Sequence, residues 1–294
     1  MKIESQEISL PLLKEKGIRL FVKRLDKVHP FISGNKWFKL KYNLIEVQKL
    51  DHKTLLTFGG AYSNHIVATA CAAKENNLKS VGIIRGEEHL PLNPTLRFAR
   101  ENGMELHYIN RGDYRLKTTA NFLDKLKAQF GDFYLLPEGG TNELAIKGME
   151  DILGTNDTQD YICCPVGTGG TIAGIINVSD SIQKVIGFPA IKGFEKLEKD
   201  IRSCVEKENY KFINTYAGNG YAKVTKELVE FINEFYLLHN ISLDAIYTSK
   251  MMLGIIDLVV KDYFPKGNSI LAIHTGGLQG NKGMNERLEL SLPT

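Results

Sequence analysis

The chain has 294 residues, 43% hydrophobic and 24% charged, with 37 basic against 34 acidic side chains and a formal net charge of +3. This is the composition of a globular chain that buries a large core in one big domain or, as we expect, two moderate ones, and its small, dispersed charge implies neither a nucleic-acid nor a membrane partner. Four cysteines (Cys71, Cys163, Cys164, Cys204) lack metal-ligand spacing, the first residues lack an apolar signal core, and no run approaches the roughly 18 apolar residues of a membrane span, so no metal and a reducing, cytoplasmic setting are expected.

The first informative helix opens at Lys36, because Trp37, Leu40, Leu44 and Val47 recur at the three-to-four spacing of one buried stripe. Next come an apolar run at 55–58, Gly59-Gly60, an Ala-rich helix over 64–74 and a β-like run at 80–84, which together make a strand–helix–strand unit. Further strands are expected at 105–109 and 133–136, after which Pro137-Glu138-Gly139-Gly140-Thr141 breaks the pattern and marks a domain crossing. A helix over 144–153, a polar loop over 154–158 and an apolar strand over 161–166 follow, with later strands at 184–188 and 269–274 and an amphipathic helix opened by Tyr247-Thr248-Ser249-Lys250. Alternation of strands and helices predicts mostly parallel sheets flanked by helices.

Six segments could carry chemistry. Ser33-Gly34-Asn35-Lys36 puts a lysine at a helix mouth, where the partial positive charge of unpaired N–H groups favours the neutral amine, the nucleophile that condenses with an aldehyde. The plain alternative is one more solvated lysine beside Lys39 and Lys41. Gly167-Thr168-Gly169-Gly170-Thr171 lies between a buried strand and a helix-compatible run, so its amides converge on a site for a lone phosphate; Ile172 spoils the dinucleotide pattern and no Gly-Lys-Ser/Thr follows for a nucleotide loop. Tyr62-Ser63-Asn64-His65 holds the matching place in the earlier unit, where Ser63 serves as an N-cap and the extra polar side chains suit a carboxylate or cofactor. Tyr247-Thr248 and His274-Thr275-Gly276-Gly277 each bring a hydroxyl to the carboxyl edge of a sheet, and Asn219-Gly220-Tyr221 is a third such loop.

Taken in order with Pro137-Glu138-Gly139-Gly140, these segments resemble the family of 1-aminocyclopropane-1-carboxylate deaminase and D-cysteine desulfhydrase, pyridoxal-phosphate enzymes of the tryptophan synthase β-subunit fold type, and the match covers nearly the whole chain. The resemblance implies an α/β fold of two domains, each an open, mostly parallel twisted sheet with flanking helices, and the cofactor in the cleft between them. The large domain is expected over 1–42 and 138–294 and the small one over 43–137. It also implies that Lys36 forms the Schiff base, that Gly167, Thr168, Gly169, Gly170 and Thr171 hold the phosphate, that Asn64 bonds the ring hydroxyl and that Thr248 or Thr275 meets the pyridine nitrogen. Ser63, Asn64 and His65 would lie at the substrate, faced by Tyr221 and Tyr247, with Lys36, Ser63, Tyr221 and Tyr247 catalytic.

Within that family the cyclopropane deaminases carry a glutamate after the active-site tyrosine, whereas Thr248 stands here. A neutral hydroxyl withdraws fewer electrons through the ring, which suits α-proton loss and expulsion of a β-thiolate better than opening a cyclopropane. The expectation is β-elimination from a small amino acid to pyruvate and ammonia, with sulfide as third product, in a homodimer. Cyclopropane deamination to 2-oxobutanoate and ammonia is the alternative, and a non-catalytic ligand-binding α/β protein is the alternative of another class. Tyr62 replaces a glutamine common before the serine, and Phe38 stands where arginine is frequent.

Overall fold

The computed structural model describes residues 3–191, 193–218 and 224–294. Ten strands form two sheets. The larger, ordered β1-β2-β10-β7-β8-β9, contains β1 (Ser5–Ile8), β2 (Arg19–Lys23), β7 (Tyr161–Val166), β8 (Lys184–Pro189), β9 (Tyr210–Phe212) and β10 (Ser269–Ile273). The smaller, ordered β5-β4-β3-β6, contains β3 (Thr54–Gly60), β4 (Lys79–Arg85), β5 (Met104–Ile109) and β6 (Tyr134–Leu136). Only the β1–β2 pair is antiparallel among these ladders.

Parallel strands need cover on both faces, and the sequence supplies it by alternation. Along β7, Ile162, Cys164 and Val166 join one core cluster and Tyr161 and Cys163 the other, so the adjacent cysteines pack on opposite faces of the sheet as free, fully buried thiols. In the small sheet Leu55 packs under the helix Asn64–Glu75, while Leu56 and Phe58 pack with Tyr114 and Leu126.

The expected elements fall within a residue or two of those observed, with one exception. The helix expected over 144–153 ends at Gly148 and continues as a single 3₁₀ turn, Met149–Asp151. A methyl group on Gly148 would stand 2.0 Å from the Phe38 carbonyl oxygen, so the two backbones meet at this point. The edge strands β1 and β9, and β2 beside β1, were not expected from the sequence. No helix among the described residues is long and apolar enough to cross a membrane.

Candidate active site

The helix Asn35–Lys49 opens with Gly34 in the left-handed region, at φ +68°. A methyl group there would stand 1.9 Å from the Thr275 carbonyl oxygen, so a bare glycine lets the lysine loop lie on the turn that follows β10. Asn35 N–H donates to that oxygen at 3.2 Å, and Asn35 Nδ2 donates to Thr171 Oγ1 at 2.8 Å. One turn along, Lys39 Nζ donates to Gly139 O at 3.1 Å, Thr141 Oγ1 at 2.9 Å and Thr168 Oγ1 at 3.3 Å. The mouth of one helix therefore touches the turn after β10, the 139–141 turn and the glycine loop after β7.

Lys36 stands between Asn35 and Lys39. It is partly buried, and its Nζ has no hydrogen-bond or ion-pair partner among the described residues. Loss of water brings its ammonium down to about 8. Desolvation is the cause here, where the sequence argument invoked the charge of the helix terminus. Lys39 is pushed down too, by burial and then by the neighbouring Lys36 charge.

The loop from Gly167 to Thr171 leads from β7 into the helix Gly170–Val178, with Gly169 at φ +85°. Its first helical amides have no partner within the helix, which makes the terminus a natural seat for an anion. Methyl groups on Gly167, Gly169 and Gly170 would fall within 3.0 Å of Tyr247, Ile201 and Thr141 respectively, so the loop is packed from every side. Buried Lys39 adds a hydrogen-bond donor beneath it.

Ser63 caps the helix Asn64–Glu75, accepting from Ile66 N–H at 3.4 Å. Asn64 Oδ1 accepts a close hydrogen bond from Gln279 Nε2, and a methyl group on Gly277 would meet Asn64 Nδ2 at 2.5 Å, which brings this segment against the turn that also receives Gly34. His65 is 1% exposed, and its Nε2 lies 2.8 Å from Thr57 Oγ1. The single proton of Thr57 goes to Leu136 O at 2.9 Å, so His65 Nε2 carries the donated hydrogen and Nδ1 is bare. Nδ1 is buried without a partner. Burial, then the charges of Lys36 and Lys39, hold this imidazole neutral, well below the ordinary histidine range.

Tyr247 borders Gly167, its hydroxyl 3.3 Å from where a Cβ would stand. Thr248 is fully buried, and its hydroxyl donates to Asp244 Oδ1 at 2.7 Å while accepting from Asp244 N–H at 2.8 Å. Its proton is committed, so of the two threonines expected at a pyridine nitrogen, Thr275 is the one whose hydroxyl makes no hydrogen bond among the described residues. Asp244 in turn accepts from Ile246, Tyr247 and Thr248 N–H, which satisfies its carboxylate inside a cap. Tyr221 lies outside the described residues.

Thr57, Asp244 and Gln279 were not singled out from the sequence; Asn35 and Thr141 were named only within their segments, and Lys39 only as a basic neighbour and, with Leu40, within the family resemblance. For Lys39 the signal was its place beside Leu40, on the margin of the apolar stripe; for Asp244 it was an acidic side chain four residues before a helical threonine. The others act across 27 to 215 positions of sequence, where no local pattern exists.

This arrangement fits an aldehyde that carries a phosphate. An amine with no partner among the described residues and an anion-binding helix terminus lie side by side, tied by the Asn35–Thr171 and Lys39–Thr168 bonds. Lys36 would hold the aldehyde carbon, the 167–171 amides and threonines the phosphate, and Asn64 and Thr275 the ring. Among the described residues no cluster could bind a metal.

Comparison with known proteins agrees. Residues 3–276 match the family described as pyridoxal-phosphate dependent enzyme. The Arabidopsis thaliana protein named bifunctional D-cysteine desulfhydrase/1-aminocyclopropane-1-carboxylate deaminase, mitochondrial, is 31% identical over 90% of this chain and 73% of its own length. A Klebsiella pneumoniae D-cysteine desulfhydrase is 26% identical over 91% and 90% of the two chains. The crystal structure of an ACC deaminase homologue superposes with a TM-score of 0.85 at 26% identity, covering 98% of this chain and 93% of that one. Catalytic relatives of this span decide against the ligand-binding alternative: the chain belongs to the pyridoxal-phosphate dependent enzymes, with the two-sheet architecture of their tryptophan synthase β-subunit fold type.

Proposed function

We propose that the protein removes the α-proton and the β-substituent of a small amino acid, releasing pyruvate and ammonia, and sulfide where the leaving group is a thiolate. The observation that carries this reading is the position after Tyr247. Thr248 stands there with its proton on Asp244, and that carboxylate is satisfied by three backbone amides and the threonine hydroxyl. A neutral partner such as Thr275 suits the lesser electron demand of β-elimination. When bound, the cofactor supplies an electron sink for charge developing at the α-carbon.

The chain's own groups have distinct parts in this proposal. Lys36, deprotonated above about 8, is the amine that exchanges with the substrate amine and takes the α-proton. Ser63 and the first amides of its helix orient the substrate carboxylate, and the buried neutral ring of His65 keeps an uncharged acceptor beside them. Tyr247, next to Gly167, closes the opposite side.

Cyclopropane deamination is the second reading, supported by the double activity named in the plant relative. Pyruvate release from D-cysteine, L-cysteine and D-serine, assayed beside 2-oxobutanoate release from 1-aminocyclopropane-1-carboxylate, separates the two. Faster turnover of a cysteine or serine supports elimination; faster turnover of the cyclopropane overturns the threonine argument. A cytoplasmic homodimer completes the proposal, supported by exposed Leu237 (81%) and Leu238 (60%) on the helix Lys226–His239. Light scattering on the eluted protein tests the assembly.

A further inference from the structure

A buried polar network adjoins the lysine loop through Asp26 and Ser33. Arg24 (6% exposed) donates to both carboxylate oxygens of Asp26, at 2.9 Å from Nε and 2.6 Å from Nη2, and its Nη1 donates to Gln6 Oε1 at 2.8 Å. His274 (1% exposed) places Nδ1 3.5 Å from Asp26 Oδ1. Its Nε2 lies 2.7 Å from the Ser242 carbonyl oxygen, which only accepts, so Nε2 carries a hydrogen. Its Nδ1 is the acceptor of a bond from Gly276 N–H at 3.2 Å and carries no hydrogen in that bond.

The same corner holds the lysine loop. Ser33 Oγ donates to Asp26 O at 3.2 Å, Gly34 N–H to Leu25 O at 3.1 Å, and His274 N–H to Lys23 O at 3.0 Å. Gly276 packs on Gly34, where a methyl group on Gly276 would come 2.8 Å from Gly34 Cα. We infer that His274 is a positioning residue: its Nδ1 fixes Gly276, and with it Thr275 and the Gly34–Lys36 loop, in the arrangement that receives the cofactor. A buried amide that loses its acceptor either stays unsatisfied or turns away, and here turning away would move the surface on which Gly34 rests.

The two amide replacements of histidine separate this role from simple packing. In His274→Asn the side-chain oxygen falls near the place of Nδ1 and keeps an acceptor for Gly276; in His274→Gln the amide reaches the place of Nε2 and keeps only the bond to Ser242 O. Each loses one hydrogen bond. Titration of the cofactor-free proteins with pyridoxal phosphate, followed by absorbance, is expected to show affinity about tenfold or more weaker for His274→Gln and within about threefold of wild type for His274→Asn. The pH midpoint of the absorbance band should move in His274→Gln alone, with the two cofactor-free variants melting within a few degrees of each other. Equal cofactor affinity in the two variants, or the reverse order, overturns the inference. The inference rests on Lys36 being the reacting amine, and failure of that reading is seen separately, as a Lys36→Ala protein that keeps the band.

Discussion

At the scale of single residues, the account turns on two lysines three positions apart that differ in what they touch. Lys39 spends its donors on Gly139, Thr141 and Thr168, whereas Lys36 has no partner among the described residues and titrates at about 8. Because the neutral amine is the nucleophile, the rate at which the absorbance band (roughly 410–430 nm) forms on adding pyridoxal phosphate to the cofactor-free protein should rise with pH through about 8 and level off above it. A rise centred near the ordinary lysine value of 10.5 would contradict the burial argument. Lys39→Ala removes the buried amine beneath the glycine loop and three hydrogen bonds, and should weaken cofactor affinity about tenfold to a hundredfold while leaving the band position unchanged. Equilibrium titration checks this. The type of residue needed at 36 was legible in the sequence, from a lysine at a helix mouth beside glycine. The cause of its lowered pKa was not, because desolvation depends on packing from segments far along the chain.

At the scale of elements, strand–loop–helix units read well, since β3, β4, β7 and β8 are apolar runs with glycine or proline at or just past their carboxyl ends. The short edge strands did not: β9 has three residues, and β1 carries Ser5, Gln6 and Glu7, so their pairing is decided by the neighbouring strand rather than by local pattern. The break at Gly148 escaped for the same reason, being set by its approach to Phe38. Two substitutions test the element-level claims. Gly34→Ala meets both a left-handed backbone and the Thr275 carbonyl, and should abolish cofactor retention on a desalting column. Thr248→Val leaves the Asp244 amide without its acceptor, and should lower stability by about 1–3 kcal/mol in denaturant titration while the absorbance band persists. Loss of the band without loss of stability would instead place the Thr248 hydroxyl at the cofactor.

At the scale of the whole molecule, the candidate site exists because two mostly parallel sheets bring the segments that follow β3, β7 and β10 together. Each segment was recognisable alone; which segments meet was not, because Asn35 reaches Thr171 and Gln279 reaches Asn64 across 136 and 215 positions. The ordered set of motifs stood in for that missing information through the resemblance it carried. A ligand that ties both sheets together stabilises the folded chain by mass action. Pyridoxal phosphate should therefore raise the thermal midpoint of the wild-type protein, and raise it less in Lys36→Ala, where only the phosphate and ring contacts remain.

The most direct test of the central claim fixes the cofactor to its lysine. Borohydride reduction of the cofactor-loaded protein, followed by proteolysis and peptide mass mapping, should place the pyridoxyl group on the peptide that contains Lys36, and Lys36→Ala should take up no label. A label on Lys39, or on any other lysine of the wild-type protein, would contradict the account.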